Sequence, residues 1–149
     1  MKTGGLVASC AVILGCGGDS AGPTTSHELN GNWSYETWSL QDGHGATCGT
    51  TGTQLQLTQH AVSFSGAAVF GTMSCSWAGG SWTGALGTGV VSSGAIRSDS
   101  VFFNIDAGAW RSVGTFVTPD SMAGIVNAIY PVNGSQLIMT GYWSAARQP

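Results

Sequence analysis

The chain has 149 residues, the length of one domain, of which only 7% are charged, and its formal net charge is −3. Ordinary soluble domains carry about 25% charged residues, and four basic side chains in the whole sequence make no patch for a phosphate backbone, which argues against a nucleic-acid partner. Twenty-four glycines accompany a hydrophobic share of 42%, enough to build a core and too much for a polar disordered chain.

The chain begins Met1-Lys2-Thr3 and continues into an apolar run from Gly4 to Leu14. A run this short is the core of an export signal, because a membrane-spanning helix needs about 20 residues. Its end, Ile13-Leu14-Gly15-Cys16, resembles the lipobox of bacterial lipoproteins. That resemblance implies cleavage before Cys16, a lipid on its sulfur, acylation of the new amino group with a palmitate-type chain, and a membrane partner reached through that lipid. Residues 1–15 are then the signal, residues 16–28 a lipidated and flexible tether rich in Gly, Ser and Thr, and residues 29–149 the domain. In enterobacterial lipoproteins an aspartate after the cysteine retains the protein at the inner membrane. Gly17 stands there, so the resemblance implies an envelope protein held at the outer membrane, on its periplasmic or surface face. An ordinary secretory signal, with Ala8-Ser9-Cys10 as cleavage context, is the alternative, and it too exports the chain.

From Leu29 onward no stretch keeps a helical period, whereas β-branched and aromatic residues alternate with small or polar ones between Gly-rich breaks. The first strand is expected over Gly31 to Leu40, with Trp33, Tyr35 and Thr37 on one face and Ser34, Glu36 and Trp38 on the other. A loop from Gln41 to Thr50 follows. Thr51 to Thr58 sets Leu55 and Leu57 against Gln54 and Gln56, and Ala61 to Phe70 sets Val62, Phe64, Ala68 and Phe70 against Ser63 and Ser65. Further strands are expected at Thr72–Trp77, Ser81–Leu86, Gly89–Ser92, Ala95–Arg97 with Val101–Asp106, Ala109–Val117, Met122–Tyr130 and Gln136–Ala146, separated by turns that include Ser93-Gly94. The fold class is therefore all-β. Short consecutive strands with scarcely charged edges are best satisfied by closure, so an antiparallel meander of about eight strands forming a small up-and-down barrel is expected.

With Cys10 in the signal and Cys16 in the lipobox, Cys48 and Cys75 remain, in a compartment where disulfides persist. A bridge between them closes a loop of roughly 28 residues and contributes about 3–4 kcal/mol in the chain-entropy description. A metal site is the weaker reading, since neither Cys-x-x-Cys nor His-x-His occurs.

Gly31-Asn32-Trp33 at the start of the first strand, with a last strand that runs Gly141-Tyr-Trp-Ser-Ala-Ala-Arg147, resembles the lipocalin and avidin type of calycin barrel. The resemblance implies that Trp33 plugs one end of the barrel and that Arg147 packs over it as a cationic cover. It implies no particular ligand, because the side chains that hold biotin in avidins are absent.

Chemistry is sparse. Gly-x-Gly-x-x-Gly does not occur, and His27, His44 and His60 fall in the tether or beside loops. Asp99 and Asp120 sit in turns that favour Asp for local hydrogen bonds, and Asp42 with His44 supplies two ligands where a cation site needs more. No enzyme, metal or cofactor is expected. The leading reading is a lipid-anchored barrel that holds a small apolar ligand, with Tyr35, Leu55, Leu57, Phe64, Phe103, Arg111 and Trp143 as candidate binding residues. Arg111 is the candidate polar group inside the barrel, a rim position or salt bridge being its other reading. The alternative function is a surface interaction module, inhibitor-like or glycan- or protein-binding, working through the Gln41–Thr50 loop and exposed tryptophans such as Trp77 and Trp82. A membrane-spanning barrel is a further reading, disfavoured by the lipid anchor and by the chain's ending in Gln148-Pro149.

Overall fold

The computed structural model describes residues 27–106, 109–132 and 135–149; the expected signal, Cys16 and the tether up to residue 26 lie outside them. The regular structure of the described residues is all β. In chain order the strands are β1 Gly31–Gln41, β2 Thr47–His60, β3 Ser63–Val69, β4 Thr72–Trp77, β5 Gly80–Ala85, β6 Thr88–Arg97, β7 Ser100–Ile105, β8 Trp110–Thr118, β9 Ser121–Val132 and β10 Ser135–Arg147.

Pairing runs in the order β1-β10-β9-β8-β7-β6-β3-β2, and β2 pairs back onto β1, so eight antiparallel strands close into a barrel. The remaining two form a flap. One edge of β2 carries two partners in succession: β3 along Gln54–His60 and β4 along Thr47–Thr51, with β5 paired outside β4. Gly52 lies between these two stretches with φ 73, a left-handed conformation that glycine adopts without the Cβ penalty.

The period of two decides what faces in. Trp33, Tyr35 and Thr37 of β1, Leu55 and Leu57 of β2, Val101, Phe103 and Ile105 of β7, and Trp143 and Ala145 of β10 are buried in one continuous core. Gln54, Gln56 and Thr58 face out, as do Ser63 and Ser65. The outer face mixes these hydroxyls and amides with exposed apolar side chains, among them Trp38, Ile125, Ile138 and Tyr142.

The structure corrects several expected boundaries. β2 begins at Thr47, so half of the expected Gln41–Thr50 loop is strand and the loop shrinks to residues 42–46. Ser93-Gly94 is no turn: Ser93 takes φ 54 inside a continuous β6, the β6–β7 register shifts between Ser92 and Ala95, and the strand bulges without ending. Val62 lies in the β2–β3 turn and is exposed, because Ala61 with φ 55 turns the chain there.

Candidate functional site

The two ends of the barrel differ. At the end where β1 starts and β10 finishes, Trp33 is fully buried and its Nε1 donates to the Leu29 carbonyl at 3.0 Å. The Arg147 guanidinium covers the same indole, its Cζ 4.6 Å from the ring centroid. Nη1 of Arg147 donates to the Asn30 carbonyl at 2.6 Å, Nη2 to the Glu28 carbonyl, and Nε to Asp120 at 2.8 Å. Residues 27–30 thus strap this end. His27 stacks on Phe116 with centroids 3.7 Å apart and meets the Asp99 carboxylate at 2.9 Å, and the Leu29 amide donates to Gln59. Asp99 and Asp120, the turn carboxylates, serve this strap.

The middle of the barrel is filled with rings. Tyr35 stacks on Trp143 at 5.6 Å, Phe103 meets Trp143 edge-on at 5.3 Å, and Phe64 lies 5.9 Å from Phe103. The Trp143 indole has room because Gly114 and Gly124 oppose each other on β8 and β9, with Gly124 also opposite Trp143. Its Nε1 donates to the Ile125 carbonyl at 3.1 Å and the Val113 carbonyl at 3.3 Å. The Tyr35 hydroxyl pairs with Ser112 at 3.0 Å, and burial pushes its ionisation well above the usual phenol range against the small opposing effect of that bond. Six of the seven candidate binding residues, Tyr35, Leu55, Leu57, Phe64, Phe103 and Trp143, are brought together here as mutual packing partners. Arg111 is not among them. Trp110 and Ser112 point inward on β8, so Arg111 and Val113 point outward, and the expectation of a polar group inside the barrel is corrected for that reason.

At the opposite end the flap creates a cavity. In the β4–β5 pair, Met73 opposes Gly84, Cys75 opposes Trp82 and Trp77 opposes Gly80, so these six residues share one face of the hairpin. The other face carries Ser74, Ser76, Ser81 and Thr83. The apolar face overhangs the mouth and lines an open cavity of about 410 Å³. Trp77 and Trp82 roof it, the Cys48–Cys75 disulfide forms one wall, and Tyr130, Leu137 and Met139 from β9 and β10 come from across the barrel. In its lining, Met73 accepts a bond from the Tyr130 hydroxyl at 3.3 Å. Beyond lie Trp110, edge-on to Tyr130 at 5.8 Å, and Phe70. Burial, followed by the neighbouring Tyr35, raises the Tyr130 ionisation well above its ordinary value, so this lone hydroxyl stays a neutral donor.

None of the seven candidate binding residues lines this cavity. The signal that points to it is a pattern: Met73, Cys75 and Trp77, then Gly80, Trp82 and Gly84, alternate with Ser and Thr on both sides of a Gly-Gly turn. Cys48 and Cys75, expected to pair, face each other directly across β2 and β4 and are bonded. In the short loop at the rim, the Asp42 carboxylate accepts from the amides of His44 and Ala46, and those bonds, His44 first, hold it below its ordinary value. Among the described residues no group of three or more His, Cys, Asp or Glu is placed to hold a metal. No protein-family description matches the chain, and neither does any curated protein or solved structure.

Proposed function

We propose that the chain is an exported, lipid-anchored binding module that takes a small apolar ligand in the mouth of its barrel, beneath the β4–β5 flap. The mouth cavity carries this reading. Its 410 Å³ is in the range of single-molecule sites, about 300–1,000 Å³, and its walls are tryptophan, methionine, leucine and disulfide with a single hydroxyl. Tyr130 is its one ionisable side chain, since both lining cysteines are bonded, which favours a binder over an enzyme. The disulfide suits an oxidising compartment. The strap of residues 27–30 lies at the closed end, away from the mouth.

Two measurements test the proposal on the exported, oxidised chain. Native mass spectrometry is expected to give an adduct that is lost on denaturation, or the chain takes up the fluorescent probe phenylnaphthylamine saturably; a bare mass with no uptake overturns the binding role. Labelling with an alkynyl palmitate is expected to mark the wild type and not Cys16→Ala, and an unlabelled wild type overturns the anchor.

A second reading, a contact surface, rests on a different observation. Trp38, Tyr142, Ile125 and Val113 lie in register across β1, β10, β9 and β8, all exposed, and the first two stack at 6.2 Å. It requires that serine at Trp38 and Tyr142 abolish partner capture and leave probe uptake unchanged.

A further inference from the structure

The chemistry of the mouth is narrow enough to define what it holds. Resting on the reading of this cavity as a ligand site, we infer that its ligand is an uncharged, flat ring compound carrying one hydrogen-bond acceptor, rather than a fatty acid, a straight-chain lipid or a sugar.

Charge decides the first part. No lining side chain is charged, Arg97 and Arg147 lie at the opposite end of the barrel, and Arg111 is on the outer face of β8. A carboxylate seated against these walls gives up hydration on the side it buries, with no cation lining the site to replace it. Polarity decides the second. A buried sugar needs a partner for nearly every hydroxyl, whereas the walls present one side-chain hydroxyl, that of Tyr130. That hydroxyl now rests on the Met73 thioether, a weak acceptor, so a ligand carbonyl or ether oxygen is a better partner and takes the bond over.

Shape decides the third. A Cβ on Gly84 would sit 2.5 Å from Cζ2 and 3.0 Å from Cη2 of Trp82, and one on Gly80 would lie 3.2–3.4 Å from three atoms of the Trp77 indole. Both indoles therefore lie along the flap over glycines, and at 47% and 45% exposure Trp77 and Trp82 keep ring surface open to the cavity. A planar ring stacks on such faces, and an alkyl chain gains only the area it buries. Met73 beside them on the flap and Met139 from β10 adapt to a ring edge and contact it favourably.

The test uses the full oxidised chain and three probes: anthracenemethanol, anthracenecarboxylate and cetyl alcohol. Anthracenemethanol is expected to quench tryptophan emission saturably, with the carboxylate at pH 7 weaker by at least about tenfold and cetyl alcohol unable to displace it. Trp77→Ala and Trp82→Ala are each expected to weaken anthracenemethanol by about tenfold, while W77F and W82F, which keep a flat ring, retain most of the affinity. The phenylalanine variants also separate loss of the ring from loss of the flap. Equal binding of the carboxylate, displacement by cetyl alcohol, or indifference to both alanine substitutions overturns the ligand class and leaves the site standing. If none of these probes nor phenylnaphthylamine binds, the site itself falls.

Discussion

The Arg147 guanidinium sits over the Trp33 indole, its Cζ 4.6 Å from the ring centroid, and acts at once as a lid on the core and as the knot of the N-terminal strap. It joins Glu28 and Asn30 to the β8–β9 turn through Asp120. Arg147→Ala is expected to lower the unfolding free energy by about 1.5–3 kcal/mol in urea denaturation. Arg147→Lys should recover little, because an ammonium cannot reproduce the planar fork. Asp120 is exposed, so D120A is expected to cost less than about 1 kcal/mol. Equal losses for R147A and D120A would place the energy in the ion pair and contradict this account.

The Trp143 slot depends on the opposed Gly114 and Gly124. A Cβ at Gly114 would meet Cζ2 of Trp143 at 2.6 Å, and one at Gly124 would run into the Val113 carbonyl. Neither neighbour has room to yield, since the indole is fully buried and bonded to two carbonyls. Alanine at either glycine is expected to cost about 1–3 kcal/mol or more. Near-ultraviolet circular dichroism should register the displaced indole, and an unchanged spectrum with unchanged stability would refute the slot.

Removing the disulfide by Cys48→Ser with Cys75→Ser is expected to lower stability by about 3–4 kcal/mol. The eight-strand closure is independent of it, because the bond joins β2 to the flap and not to a barrel neighbour. Far-ultraviolet circular dichroism should therefore stay that of a barrel while probe affinity falls. Collapse of the whole sheet on reduction would show that the flap is integral to closure.

Stability should decline in alkali. The folded state holds Tyr35 and Tyr130 protonated above the ordinary tyrosine value of 10.0, so above that pH the unfolded chain releases protons the native chain keeps. The stabilisation is whole below about pH 10 and is lost as pH rises past it, at about 1.4 kcal/mol per unit for Tyr35; Tyr130 adds in the same direction. Tyrosinate absorbance from these two rings should accompany unfolding and not precede it. Tyr35→Phe flattens the slope at the expense of about 1 kcal/mol at neutral pH, since Ser112 loses its partner. Y35F combined with S112A should regain most of that loss. A slope unchanged by Y35F would assign it elsewhere.

Strand faces could be read where alternation was strong, as in Trp33, Tyr35 and Thr37, and closure followed from short strands with little edge charge. Where glycine and threonine dominate, composition misleads: Thr47 to Thr50 reads as loop, yet it is strand because β1 and β4 pair with it on both sides. Ser93-Gly94 reads as a turn for the same reason, and only the ladders to β3 and β7 make it a bulge. The face of Arg111 depended on strand phase, and that is set by Trp110 finding Phe70 and Tyr130, contacts remote in sequence. The mouth was the least legible part. Its walls come from the loop, the flap and β9–β10, and the long-range β2–β4 pairing is what carries the flap over them.

The flap has one more property. It interrupts the chain between β3 and β6, which pair with each other directly, and where it leaves and rejoins the barrel the Phe70 amide donates to the Gly87 carbonyl at 2.8 Å. The barrel wall is thus already joined behind it, as a hairpin is joined at its turn. Residues 71–86 are an excursion whose two ends meet at the barrel wall, tied down on its far side through β2 and the Cys48–Cys75 bond.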